Sequence, residues 1–294
     1  MSDTGITEND MLIHKLGVLG SGTMGKQIAL LCASHGYPVI IWNHIARDNF
    51  FQDLEKLCLL QARLGLIQKD AISPIMSLIS YTSDITQLCD CDFIIETVKE
   101  SSSVKTSVLQ MLGNIVTENT IFATNSSTFS TTELASITKN PQQFIGIHFF
   151  NPPMSMKLIE VIKGELTNDY TVSKALDLLS RLEKHPVVLP ETPGFVVNRL
   201  LFPMINEAIF LLSEGIADEK TIDSCMKMGA NHPMGPLELA DFIGLDVCLS
   251  ILETLVHETG DAKYRPAHLL KKYVRAGKLG KKAGIGFYTY RKKG

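Results

Sequence analysis

Leu16-Gly17-Val18-Leu19-Gly20-Ser21-Gly22-Thr23-Met24-Gly25 decides how this chain folds. A short apolar run stops at a glycine, the glycines recur with the spacing GxGxxG, and an apolar helical pattern through Ile28, Leu31 and Cys32 follows at once. Each glycine answers a different steric demand. Gly20 suits a tight turn, Gly22 lets a pyrophosphate approach the backbone, and Gly25 permits close packing of helix on strand. At the mouth of that helix the N–H groups of Thr23, Met24 and Gly25 and the positive end of the helix dipole face outward to phosphate. Three glycines alone mark only a strand-to-helix turn. Here strand, loop, helix and a second strand, Val39 to Trp42, fall in order, which is the βαβ context of a dinucleotide site.

Outward from this unit, β-rich runs alternate with amphipathic segments as far as residue 191. Strands are expected at Lys15 to Leu19, Val39 to Trp42, Ile79 to Thr82, Phe93 to Val98, Ile121 to Thr124, Phe144 to Phe150, Leu158 to Ile162 and Val187 to Leu189. Between them, apolar residues recurring at three and four predict helices over Thr23 to Ser34, Asp48 to Leu64, Ser103 to Val116 and Val172 to Lys184. After Pro190-Glu191-Thr192-Pro193-Gly194 the β runs stop and helical patterns continue to about residue 275. The fold class is therefore α/β: a Rossmann-type, mostly parallel sheet domain over residues 1–191, then an all-helical C-terminal domain over residues 192–294.

Composition narrows the function. With 45% apolar and 20% charged residues in 294, the chain has the content of a globular protein with a large core. A net charge of −3 argues against a nucleic-acid binder. The longest uncharged stretch, Gln27 to Ala46, is broken by Ser34-His35-Gly36-Tyr37-Pro38 and reads as helix, turn and strand, so no membrane span is expected. Met1 to Asp10 is acidic and the first arginine is Arg47, unlike a secretory signal or transit peptide. Six cysteines without metal-type spacing look like reduced thiols, and a cytoplasmic location follows.

Candidate chemistry gathers at four places. Asn43 ends the second strand, where a ribose-binding carboxylate is expected; an amide there still bonds a 2′-hydroxyl but does not repel a 2′-phosphate, and His44 or Arg47 could attract one. Cofactor choice at this position is therefore open between NAD and NADP, and the plainer reading of Arg47 is the start of a solvated helix. A hairpin turning about Met154 pairs residues whose numbers add to 308, so that His148 faces Glu160 inside two apolar strands. A carboxylate in such a strand is costly unless partnered, and on one ring nitrogen it fixes the tautomer and leaves the other for proton transfer. The pair alone also suits a buried histidine satisfied by a buried glutamate with no chemistry. Asn198 falls on the apolar stripe of Phe202, Ile205, Ile209 and Leu212, in a helix expected to begin at Pro193-Gly194. Ser127 follows the strand Ile121 to Thr124 at the end of the sheet where ligands bind, or caps the next helix, a role for which Ser130 and Thr131 are closer.

Gly20 to Gly25, Cys91 to Glu96 with Glu100 and Lys105, Ala123 to Ser127, His148-Phe149-Phe150-Asn151-Pro152, Thr192 to Arg199, Pro233-Met234-Gly235-Pro236, and Gly280-Lys281-Lys282 through Gly286-Phe287-Tyr288 together resemble the L-3-hydroxyacyl-CoA dehydrogenase family, above all its short 3-hydroxybutyryl-CoA members. The likeness spans Leu12 to Tyr290. It implies His148 as catalytic base, Glu160 as its partner, and Ser127 with Asn198 holding the substrate oxygen. It further implies a nicotinamide cofactor contacted by Gly20, Gly22, Thr23, Met24, Gly25, Asn43, Glu100, Lys105, Ser127, Asn151 and Lys282. The site would lie in a cleft between sheet and helical domains, the helical one forming a homodimer.

Two departures qualify the resemblance. Asn43 stands where the family usually carries Asp, and Leu66 at the position aligned with a lysine that grips the CoA nucleotide. Without that cation, an acyl group tethered to an acyl carrier protein is an alternative to the acyl-CoA thioester. The β-hydroxyacid dehydrogenases form a competing class that uses a helical lysine; next to Asn198 this chain has Arg199, which cannot release a proton near neutral pH. A non-catalytic cofactor-binding protein on the same fold would be expected to have lost polar cleft residues, yet Ser127, His148, Glu160 and Asn198 are all present.

Overall fold

A computed structural model describes residues 12–290. The acidic stretch Met1 to Asp10, read above as unlike a targeting signal, lies outside them apart from that reading of its sequence. The described chain divides into two compact units, the division falling between Glu191 and Thr192.

The first unit is built on an eight-stranded sheet: β1 (Leu16–Leu19), β2 (Val39–Trp42), β3 (Ile79–Thr82), β4 (Phe93–Glu96), β5 (Ile121–Thr124), β6 (Phe144–Phe149), β7 (Leu158–Lys163) and β8 (His185–Pro190), in the order β3-β2-β1-β4-β5-β6-β7-β8. Neighbours pair in parallel except β6 with β7, which are antiparallel. Strands β1, β2, β4, β5 and β6 are buried at every position, as expected of continuous apolar runs covered on both faces. Side-chain alternation sorts the two layers. Val39 and Ile41 enter the core shared with α1 (Thr23–Ser34), α2 (Phe50–Arg63), the short α3 (Ile72–Ser77) and α6 (Asp169–Arg181). Ile40 and Trp42 enter the opposite core with α4 (Ser102–Leu112) and α5 (Thr131–Ile137).

The second unit has its own core, in which Phe202, Ile205 and Ile209 of α7 (Val197–Ser213) pack with Leu237 of α9 (Pro236–Ile243) and Leu252 of α10 (Leu245–Thr259). Helices α8 (Glu219–Gly229) and α11 (His268–Arg275) complete it. Among the described residues no helix is long and apolar enough to cross a membrane.

The differences from the sequence-based expectation have local causes. Helix α6 starts three residues early because Asn168 accepts the N–H of Thr171 at 2.8 Å and caps it there; Glu183, at φ 54°, turns the chain beyond its end. Helix α7 starts three residues after Gly194, because Gly194 and Phe195 both have positive φ and cannot belong to a right-handed helix. Strand β4 ends at Glu96, whose carboxylate accepts the N–H of Val98 at 2.7 Å and turns the backbone out of the ladder. Strand β8 is longer than expected, running between Pro186 and Pro190, residues an edge strand tolerates.

All six cysteines are free. Burial pushes the thiols of Cys32, Cys91 and Cys248 up to about 12 and that of Cys58 up to about 11, while Cys89 and Cys225 are exposed. A thiol of pKa near 12 is ionised to roughly one part in ten thousand at pH 8. An aromatic disulfide reagent at pH 8 should therefore modify two thiols quickly and the other four only on unfolding. Rapid reaction of more than two in the native protein would contradict this burial.

Candidate active site

The glycine loop follows directly from β1. Gly20 has φ 99°, and a Cβ there would lie 2.8 Å from the carbonyl oxygen of Thr97. A Cβ on Gly25 would collide with the carbonyl oxygen of Gly20, whereas one on Gly22 would meet nothing within 4 Å. Two glycines thus serve the protein's own packing, and the third leaves open space beside the backbone. Thr97, which the sequence reading did not single out, braces the loop by donating its hydroxyl to the carbonyls of Leu19 at 2.8 Å and Gly20 at 3.3 Å. No side chain caps the N-terminus of α1. The Ser21 hydroxyl is buried with no hydrogen-bond partner. An open backbone face, an uncapped helix N-terminus and an orphaned hydroxyl fit a pyrophosphate.

Asn43 stands immediately after β2, buried beside this loop. Its Nδ2 donates to the carbonyl of Ile45 at 2.7 Å and its Oδ1 accepts the N–H of Ser21 at 3.5 Å. The amide therefore presents oxygen, not N–H, to the loop. His44 and Arg47 are exposed.

The antiparallel register of β6 and β7 sets His148 opposite Glu160. His148 Nδ1 lies 2.8 Å from Glu160 Oε2, and both side chains are buried. The ring of Phe150 packs edge-on against the imidazole at 4.7 Å. With a carboxylate at Nδ1, the neutral ring carries its proton on that nitrogen, and proton exchange with a ligand falls to Nε2.

Ser127 is half-buried in the turn after β5, and it does not cap α5: Ser130 does so, its Oγ accepting the N–H of Glu133 at 3.0 Å. Asn125 ties this turn to the histidine strand, its Oδ1 accepting the N–H of Phe149 at 2.9 Å. It too went unremarked in the sequence, where an asparagine after a strand reads as loop. Glu100 accepts the Ser126 hydroxyl at 2.8 Å. Lys105 is completely buried, with Nζ 2.8 and 2.7 Å from the two oxygens of Glu96 and 3.6 Å from Glu100. Asn151, in the loop between β6 and β7, accepts the Gln27 side-chain N–H at 3.1 Å.

Asn198 and Lys282 belong to the second unit. Asn198 occupies the first turn of α7 and is buried on the face that carries Phe202, Ile205 and Ile209. Lys282 donates to Asp246 at 2.7 Å. Arg199 is bonded through Nε to the Tyr264 hydroxyl at 3.2 Å and through Nη1 to Thr192 at 3.0 Å.

Against known proteins, the sequence profile described as "3-hydroxyacyl-CoA dehydrogenase, NAD binding domain" matches residues 15–192, and "3-hydroxyacyl-CoA dehydrogenase, C-terminal domain" matches residues 194–290. The chain belongs to the 3-hydroxyacyl-CoA dehydrogenase family. Within that family, it is 46% identical to a 3-hydroxybutyryl-CoA dehydrogenase of Clostridioides difficile over 95% of this chain and 100% of that protein. It is 36% identical to the human mitochondrial hydroxyacyl-coenzyme A dehydrogenase over 96% of this chain and 92% of that one. The crystal structure of (S)-3-hydroxybutyryl-CoA dehydrogenase from Ralstonia eutropha superposes with a TM-score of 0.89 at 40% identity, covering 96% of this chain and 100% of that one. FadB2 of M. tuberculosis superposes at 0.93 with 32% identity, covering 95% and 99%. The resemblance drawn from scattered motifs is thus a relationship across both units, and the first of them is an NAD-binding domain of this family.

Proposed function

We propose that the protein is an NAD-dependent 3-hydroxybutyryl-CoA dehydrogenase, interconverting a short (3S)-3-hydroxyacyl thioester and its 3-ketoacyl counterpart. The His148–Glu160 pair, buried at 2.8 Å on the strand next to the Ser127 turn, carries this reading. When bound, NAD supplies the acceptor for a hydride from C3 of the substrate. His148 takes the hydroxyl proton at Nε2, and the Glu160 carboxylate stabilises the imidazolium that results. In the reverse direction the protonated ring returns that proton to the ketone oxygen. By the family resemblance, Ser127 and, from the second unit, Asn198 would hydrogen-bond the same oxygen, which gains charge as the proton leaves. The loop of Gly20, Gly22, Thr23, Met24 and Gly25 would hold the pyrophosphate, Asn43 the adenosine ribose, and Glu100, Lys105, Ser127, Asn151 and Lys282 the nicotinamide half. The test is oxidation of NADH with acetoacetyl-CoA. No turnover with any CoA- or carrier-linked 3-ketoacyl substrate, despite firm NADH binding, would overturn the reading. Faster turnover of a carrier-linked substrate would favour the acyl carrier protein alternative, which the exposed Leu66 motivates.

The protein is further proposed to form a homodimer through its helical unit, whose Leu200, Ile216 and Met228 are 71%, 68% and 82% exposed. A monomer in sedimentation at micromolar concentration would count against it. Its four buried thiols suit the reducing cytoplasm.

Asn43 supports one prediction about cofactor choice. NAD should be preferred over NADP by a modest margin, because Asn43 offers an oxygen acceptor without the charge that rejects a 2′-phosphate. Asn43→Asp should keep or improve kcat/KM for NADH and depress it for NADPH, since a carboxylate beside a phosphate dianion in a partly dry site costs several kcal/mol. An unchanged NADH-to-NADPH ratio would remove Asn43 from the ribose pocket.

A further inference from the structure

Glu96 ends β4 with a carboxylate that is 1% exposed, and all its acceptor capacity is used. Lys105 Nζ donates to both oxygens, at 2.8 and 2.7 Å, the N–H of Val98 to Oε1 at 2.7 Å, and the Thr124 hydroxyl to Oε2 at 2.7 Å. Four hydrogen bonds from three groups match the four lone-pair positions of a carboxylate, so no position remains for a ligand.

The arrangement has a direction. Because Glu96 only accepts, the Thr124 hydroxyl must spend its proton there, and its lone pairs are left to accept the N–H of Ser126 at 3.1 Å. Ser126 Oγ in turn donates to Glu100 at 2.8 Å and accepts the N–H groups of Thr128 at 3.3 Å and Phe129 at 3.0 Å. Glu100 is itself 3.6 Å from Lys105, which closes the circuit. Ser127 lies inside the turn that this circuit spans. The next residue of the same strand end, Thr97, separately braces the glycine loop. Replacing a buried ion pair with apolar residues of similar volume often leaves a protein as stable as before. What an apolar replacement cannot supply is this ordered sequence of donors and acceptors.

We infer that Glu96 is a positioning residue: through Thr124 and Ser126 it sets the turn that presents Ser127, and it holds Lys105 and Glu100 beside that turn. This rests on the function proposed above for Ser127. Thr124→Val removes the link while keeping the β-branched shape, and Thr124→Ser restores the hydroxyl. Thr124→Val should lower kcat/KM for acetoacetyl-CoA by about 10–10²-fold, the effect of a displacement on the scale of an ångström. NADH affinity, measured by fluorescence titration, should fall by less than kcat/KM, because the glycine loop that would hold the pyrophosphate is braced separately by Thr97, whereas the nicotinamide end shares Glu100 and Ser127 with the turn. Amide exchange across residues 126–129 should quicken, and Thr124→Ser should recover most of the rate and the protection. Should Thr124→Val not fold, Ser126→Ala interrupts the same circuit one bond later, with the same expectations. Wild-type kcat/KM and exchange in the interrupted variant, or a Thr124→Ser as impaired as Thr124→Val, would overturn the inference. Inactivity of the wild type on every thioester would instead defeat the proposed function, leaving amide exchange to decide the role of Glu96.

Discussion

His148→Ala should lower kcat for acetoacetyl-CoA reduction by about 10²–10⁴-fold, the range for loss of a positioned general acid or base, while NADH binds almost as tightly as to the wild type. The split follows from geometry. The glycine loop is held by Thr97 and by its own packing, none of which involves the imidazole. His148 is buried, so removing the ring also opens a cavity and takes away the nitrogen that Glu160 meets at 2.8 Å. His148→Gln fills more of that space, and it should be as inactive as the alanine variant although more stable. Steady-state kinetics with fluorescence titration of NADH would check both, and a variant at near wild-type rate would reduce His148 to a core residue.

Glu160→Gln should cost a comparable factor, about 10²–10⁴ in kcat, although it alters one atom. Two outcomes are open to the amide. If its oxygen faces Nδ1, the tautomer is kept but the charge that stabilises the imidazolium is lost. If its NH2 faces Nδ1, the ring proton is forced to Nε2 and the histidine cannot take the substrate proton. Nitrogen NMR of the labelled histidine would distinguish these, and a rate within threefold of wild type would show that the pair is uncoupled during turnover.

The His148–Glu160 pairing was legible in the sequence because strands have period two and a hairpin permits few registers: once Met154 was taken as the centre, the facing residues were determined. The glycine loop was legible because only glycine meets the demands at positions 20 and 25. Helix starts were less so. Asn168 and Asp169 both carry start signals for α6, but the apolar periodicity that located the helix is visible only from Val172 onward. Helix α3 escaped because Pro74 in the middle of six residues reads as a break. Lys105 shows most clearly what was hidden. Its place among the family motifs implied a cofactor contact but not its partner within the protein: the ammonium bonds both oxygens of Glu96. Which carboxylate a lysine meets is decided by the alignment of β4 with α4, and no spacing along the chain records that.

All eight strands precede Glu191, and about a hundred residues of helices follow. Parallel pairing joins segments far apart in sequence and is slow, because each strand must wait for distant partners. A ribosome adding about 5–20 residues per second takes roughly 5–20 s to synthesise the remaining hundred. The sheet unit therefore emerges before the helical one and has that interval in which to pair its distant strands. The order of the two units along the chain is the one that gives the non-local sheet this interval, and a circular permutant that put the helices first would remove it.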